Sequence, residues 1–223
     1  MANNRLILNV ATGPYVPLQR RLLDSLRGAD VLSWTDAWPP KSPSHAETPY
    51  AFKLHALAEA RRRGATAALW LDAPVVAHGR PEAVFDRIER DGHLFVTSGE
   101  RLGTWIGDAA LEALGLSRDE ALELPLLNGT FIGLDLRRGA WLDEMLEAAA
   151  AGLLNGPYFT EHAPAEARAR KPGKSIGEAS RDPRCWGHRH DEAIGSALAA
   201  RKGMSIAPAP ALFGTSGLFR PGP

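Results

Sequence analysis

Between residues 5 and 97, short β-prone apolar runs alternate with segments of helical period, and this alternation leaves few folds open to the chain. Residues 5–10 read Arg-Leu-Ile-Leu-Asn-Val, a strand, and Ala11-Thr12-Gly13-Pro14 breaks it. Val16, Leu18, Leu22, Leu23 and Leu26 then recur at helical spacing, and Gly28 stops that helix. Residues 29–34 form a second strand that ends in Thr35-Asp36. A helix over 50–63 closed by Gly64, a buried strand over 66–71 running into Asp72, a helix over 81–90 and a strand over 93–97 complete the series. The order β-α-β-α-β-α-β predicts a mostly parallel central sheet flanked by helices, an α/β fold. In such sheets ligands bind beyond the carboxyl ends of the strands, which here carry Thr12, Asp36 and Asp72.

The second half is less regular. Residues 109–114 and 118–122 read as short helices, 126–136 contains a strand, and 140–151 and 191–200 read as helices. Prolines 39, 40 and 43 exclude regular structure from the loop before residue 50. Residues 155–187, rich in Gly, Pro and charge, read as a functional loop or a poorly ordered one. The tail after Pro208 is expected at the surface. No repeat or linker divides the chain, so 1–223 reads as a single domain.

Composition narrows the function classes. The 26 basic and 26 acidic residues cancel, which argues against a globally basic nucleic-acid binder. Seven of the basic residues, Arg168, Arg170, Lys171, Lys174, Arg181, Arg184 and Arg189, nevertheless crowd into one stretch able to meet an anion. The single cysteine, Cys185, excludes an internal disulfide and suits a reducing compartment. No apolar run approaches the roughly 20 residues of a membrane helix, and the first residues do not resemble a signal peptide, so a cytoplasmic location without membrane association is expected. A Rossmann glycine fingerprint, a Walker lysine motif and a Gly-x-Ser-x-Gly elbow are all lacking.

The segment Pro49-Tyr50-Ala51-Phe52-Lys53, a helix, and then Leu69-Trp70-Leu71-Asp72 resembles the nucleotide-diphospho-sugar transferases, glycosyltransferases of GT-A type. Val10-Ala11-Thr12-Gly13 and Asp36 are similar to that family's uridine-binding edge. Gly103-Thr104-Trp105-Ile106-Gly107-Asp108 resembles the Trp-x-x-Asp element of a small phage and bacterial branch, and Gly187-His188-Arg189-His190-Asp191-Glu192 resembles its Gly-His-Arg-His-Asp-Gln signature. The resemblance runs over about residues 5–205. It implies a nucleotide-binding half at about 1–100, an acceptor and sugar half at about 101–207, and a surface tail over 208–223. It also implies sugar transfer from a UDP-sugar donor to an acceptor hydroxyl on a glycan, a small molecule or a modified DNA base. Two departures stand out. The Asp-x-Asp motif reads Asp72-Ala73-Pro74, without the second carboxylate that would help hold a divalent cation (Mn or Mg), and Glu192 stands where the signature has Gln.

The residues that follow from this reading are Asp191, Asp108 and His190 as catalytic groups. Thr12, Gly13, Asp36, Lys53, Asp72, Trp105, Asn128 and Arg189 are nucleotide-sugar contacts, and Asp72 with His188 are metal ligands. Each has a plainer reading as well. Asp72 can cap a turn, Lys53 can be a solvated helix residue, Asp108 and Asp191 can be N-caps, Trp105 can be core, and Asn128 can serve a tight turn. Trp70 and Trp141 are expected in the core. Two other readings compete with a transferase. A sugar-phosphate nucleotidyltransferase would need a Gly-rich basic loop after the first strand, which Ala11-Thr12-Gly13-Pro14-Tyr15 does not supply. A non-catalytic nucleotide- or sugar-binding module would not need the missing carboxylate.

Overall fold

The computed structural model describes residues 4–26, 28–208 and 219–221. Strand β1 (Arg5–Ala11) leads through a tight turn into α1 (Val16–Ser25), and β2 (Val31–Thr35) returns beside β1. After the proline-rich loop come α2 (Ala51–Arg62), β3 (Ala67–Leu71), the short β4 (Val75–Ala77), α3 (Glu82–Asp91) and β5 (His93–Arg101). The second half holds α4 (Asp108–Leu114), α5 (Arg118–Glu123), β6 (Pro125–Asp135), α6 (Ala140–Ala150), α7 (Ala165–Ala169), α8 (His190–Arg201), β7 (Ile206–Ala207) and β8 (Phe219–Pro221).

Six strands form one sheet in the order β2-β1-β3-β6-β5-β7. The β1–β2, β1–β3 and β5–β7 pairs are parallel, while β6 runs antiparallel to both β3 and β5. Five strands therefore point one way and β6 alone is reversed, so the sheet is mostly parallel, as the alternation predicts. The sequence pattern did not reveal the reversal, because direction comes from the connection and not from the run itself. Alternation along the buried strands divides the core in two. Leu8, Val10, Trp70, Ile132 and Leu134 face one layer, which also takes Leu54 and Leu57 of α2, Trp141 of α6 and Ile194 of α8. Ile7, Leu69, Leu71 and Phe131 face the other, with Leu22 of α1 and Phe85 of α3. Trp70 and Trp141 are buried as expected.

The aperiodic loop is the ordered one of its two alternatives, and the tail is described only at its end. Residues 155–187 are wired in place: Thr160 N–H donates to Trp186 O, Phe159 N–H to Ser175 O and Gly177 N–H to Phe159 O. Most of the expected surface tail, 209–218, lies outside the described residues. Its described end, β8, pairs antiparallel with β4, a pairing too short to read from the sequence.

The rim at the carboxyl end of the parallel strands is braced from below. Buried Asn9 donates to Leu71 O and accepts from Gln19, which also donates to Trp34 O and accepts from Thr35 Oγ1. One side-chain network thus ties the ends of β1, β2 and β3 to α1, and it fixes the platform on which the strand-end residues stand.

Candidate functional site

Lys53 lies in the first turn of α2, and its side chain is 3% exposed. A buried lysine needs a hydrogen-bond acceptor and opposite charge, and one carbonyl and two carboxylates supply them. Nζ donates to Gly129 O at 2.8 Å and lies 3.3 Å from Asp72 Oδ1 and 3.2 Å from Asp191 Oδ2. Asp72 follows β3, Gly129 lies in β6, and Asp191 is in the first turn of α8, so three distant chain segments meet at one ammonium. Burial alone would lower the Lys53 pKa, but Asp191 and Asp72 outweigh it and raise the value, keeping the lysine charged. Glycine suits position 129, since a Cβ would stand 2.8 Å from Asp191 Oδ2 and 3.1 Å from Lys53 Nζ and would push the ion pair aside.

Aromatic rings close over this centre. Tyr50 precedes α2 with a left-handed backbone, φ 62°, which brings its ring centroid within 4.9 Å of Lys53 Nζ. The Trp70 ring lies 5.7 Å from the same ammonium, and Trp70 Nε1 donates to Asp72 Oδ1 at 2.8 Å. Lys174, from the long loop, donates to Tyr50 Oη at 3.3 Å and lies 5.0 Å from the Tyr158 ring. The Arg189 guanidinium lies 4.1 Å from the Trp105 ring and 5.7 Å from that of Tyr158. Two further cations, both only partly buried, thus lie against these rings, and the surface they share is the candidate mouth of the site.

The carboxylates at the start of α8 differ in setting. Asp191 is 3% exposed, and burial pushes its pKa up against the opposing pull of Lys53. Glu192 reaches the surface: its side chain is 21% exposed, Oε1 accepts Gly129 N–H at 2.9 Å, and Oε2 lies 3.5 Å from Arg189 Nη1. Burial and the neighbouring Asp191 push the Glu192 pKa up to about 7. His190, also left-handed at φ 43°, donates through Nδ1 to Leu154 O, which leaves Nε2 as the lone-pair nitrogen.

The other sequence-derived residues are placed as follows. Thr12, Gly13 and Asp36 form one edge: Gly13 N–H donates to Asp36 Oδ1 at 2.8 Å, and Asp36 has φ 49°. Asn128 lies within β6, where the expected tight turn is absent, and its Oδ1 accepts from Thr130 N–H along the same strand. Asp108 spends its carboxylate elsewhere. Oδ1 accepts from Arg118 and Ser180, and Oδ2 from Arg181 N–H, so it fastens α4 to the long loop and no contact joins it to Lys53. Burial pushes its pKa up, but the bonds from Ser180 and Arg118 win and hold it low, the wrong direction for a base. Trp105 is 2% exposed, with Arg189 over its ring and Trp186 and Phe159 at its edges, so it supports Arg189 and offers no free face to a sugar. His188 uses both nitrogens on the main chain: Nδ1 accepts Gly107 N–H, and Nε2 faces Leu153 O. It has no lone pair to spare for a cation. The basic stretch is not one patch either, because Arg181 pairs with Glu178, Arg184 with Asp119 and Asp182, and Arg189 with Glu192.

The divalent cation implied by the resemblance does not fit this donor set. Asp72 and Asp191 point at a point already filled by an ammonium, and His188 is spent. Among the described residues, no cluster of three His, Cys, Asp or Glu side chains is arranged to hold a metal.

The sequence did not single out Tyr50 or Tyr158 as site residues; it marked Lys174 only as one of a basic stretch able to meet an anion, and Glu192 only as a departure from the signature's Gln. Tyr50 sat in plain view beside Lys53. Tyr158 and Lys174 lie in the aperiodic loop, where only the third dimension brings them to the mouth.

No family model matches the chain, and no curated protein does. Solved structures of related shape include mouse xyloside xylosyltransferase 1 in its apo form, at 10% identity over 93% of this chain and 86% of that one, with a TM-score of 0.49. A glycosyltransferase involved in glycosylation of the major capsid of PBCV-1 matches at 13% identity over 97% and 92%, with a TM-score of 0.43. The galactosyltransferase LgtC, in complex with donor and acceptor sugar analogues, matches at 10% identity over 66% and 64%, with a TM-score of 0.39. Among the described residues, no helix is long and apolar enough to cross a membrane.

Proposed function

We propose that the chain is a GT-A-type glycosyltransferase that moves a sugar from a nucleotide-diphospho-sugar, a UDP-sugar in the first instance, to an acceptor hydroxyl. The observation that carries this reading is the gathering of Asp191 and Glu192 with Lys174 and Arg189 around Tyr50 and Tyr158 at the sheet's carboxyl rim. A donor of this kind brings a flat base, a dianionic bridge and a neutral sugar, and the mouth offers matching parts in that variety.

Thr12, Gly13 and Asp36 hold the nucleoside, with Asp36 Oδ2 left to accept from it after Oδ1 has taken Gly13 N–H. Lys174 and Arg189 meet the diphosphate and stabilise the charge that grows on it as the glycosidic bond breaks. Tyr50 and Tyr158 wall the cleft and exclude water, which strengthens both contacts. Asp191, fixed by Lys53, orients the sugar, and His190 Nε2 accepts a hydrogen bond from it. Glu192, the carboxylate that reaches the surface, takes the proton from the attacking hydroxyl, and this role moves there from Asp108 because Asp108 lies away from the Lys53 centre with its pKa held low, whereas that of Glu192 is raised.

A donor screen against mixed acceptors, with products read by mass spectrometry, tests the proposal. It expects a product heavier by one hexose or pentose residue, and loss of that product in Glu192→Gln with UDP affinity kept in calorimetry. Nucleotide binding without turnover of any donor would instead favour the binding-module reading.

A further inference from the structure

We propose that the Lys53 ammonium is the resident cation of this site and excludes a divalent ion from it, so that ligand binding at the mouth needs no added metal. The inference rests on the nucleotide-sugar reading only for the identity of the ligand.

Three oxygens from three separate chain segments surround Lys53 Nζ: Gly129 O accepts from it at 2.8 Å, and Asp191 Oδ2 and Asp72 Oδ1 stand at ion-pair distance, 3.2 and 3.3 Å. The two carboxylates balance the ammonium by charge, and the carbonyl takes its hydrogen bond. Hard divalent cations collect carboxylate and carbonyl oxygens in the same way, but at about 2.0–2.6 Å. The carboxylates would have to close in by more than half an ångström, and the ammonium would have to leave. It has nowhere to go. The Tyr50 ring lies 4.9 Å from Nζ on one side and the Trp70 ring 5.7 Å away on another, and Gly129 leaves no space between strand and helix. Trp70 Nε1 also holds Asp72 Oδ1 in its present direction. A divalent ion approaching from the mouth would meet Lys174 and Arg189 first, and like charges repel it. The chain's departure from Asp-x-Asp then has a physical counterpart, because one carboxylate fewer suits a singly charged ammonium.

The arrangement makes a prediction of gained binding. Without the lysine side chain, two carboxylates and a carbonyl would face one vacated point, a set that a divalent ion accepts. Manganese is the probe, its free concentration read by electron paramagnetic resonance. Wild-type protein should leave the signal at its buffer level, while Lys53→Ala should take up one equivalent and lose it again in Lys53→Ala/Asp72→Asn. Stoichiometric manganese binding by the wild type that disappears in Asp72→Asn would overturn the proposal, as would a folded Lys53→Ala protein that binds none. If Lys53→Ala does not fold, the wild-type titration with Asp72→Asn still decides. UDP calorimetry in chelator and in manganese separates this inference from the functional reading. UDP binding that requires manganese overturns the inference and leaves the transferase reading in place. Failure of UDP to bind under either condition overturns that reading and leaves metal exclusion to the manganese titration.

Discussion

Gly129 is the residue on which the candidate site depends most closely. Its missing Cβ lets Lys53 and Asp191 approach within ion-pair distance across a strand. Gly129→Ala should cost roughly 1–3 kcal/mol by overpacking, measured by urea denaturation, and should depress any transfer activity well beyond what the stability loss explains. Glu192 carries the second residue-scale prediction. With a pKa near 7, it is an effective base only when deprotonated, so kcat should climb as pH rises through about 7 and then level off. Glu192→Gln should lower kcat by roughly 10²–10⁴-fold and abolish that limb of the profile. A rate insensitive to pH between 5 and 9 would remove Glu192 from the mechanism.

At the scale of elements, the approach to α8 is stitched in place. His188 links the 105–107 turn to the segment after α6 and is buried, which pushes its pKa down to about 4, with His190 adding to the effect. The unfolded chain therefore binds a proton that the folded one refuses between pH 6.5 and 4. Stability from this group is complete above pH 6.5 and falls as pH drops through that window, by an amount on the order of 3 kcal/mol. Chemical denaturation across pH should show the loss, and His188→Gln should flatten it relative to its own value at pH 7. The elements themselves were largely legible, because periodicity and glycine stops mark α1, α2, β3 and α6. The reversal of β6 and the two-residue β7 were not, since neither leaves a periodic trace. Lys53, Asp72 and Asp191 could be singled out from strand ends and helix starts. The engagement of Asp108 by Arg118 and Ser180, and the burial of Trp105 beneath Arg189, arise from folding of the aperiodic loop and have no local signature.

For the whole molecule, two core layers support one rim, and the described network of Asn9, Gln19 and Thr35 couples the strands beneath it. Ligand occupancy at the rim should therefore appear as global stability. UDP at about 100 times its dissociation constant should stabilise the fold by about 2.7 kcal/mol, read as a rise in Tm, while uridine alone should do less at the same concentration. Equal shifts from the two would argue against Lys174 and Arg189 as diphosphate contacts. The backbone of Gly129 has its own consequence. One residue's amide and carbonyl serve opposite purposes, the N–H to Glu192 and the oxygen to Lys53. The sorting of negative from positive partners is thus done by the main chain, and replacement of neighbouring side chains can reshape the cleft without undoing it.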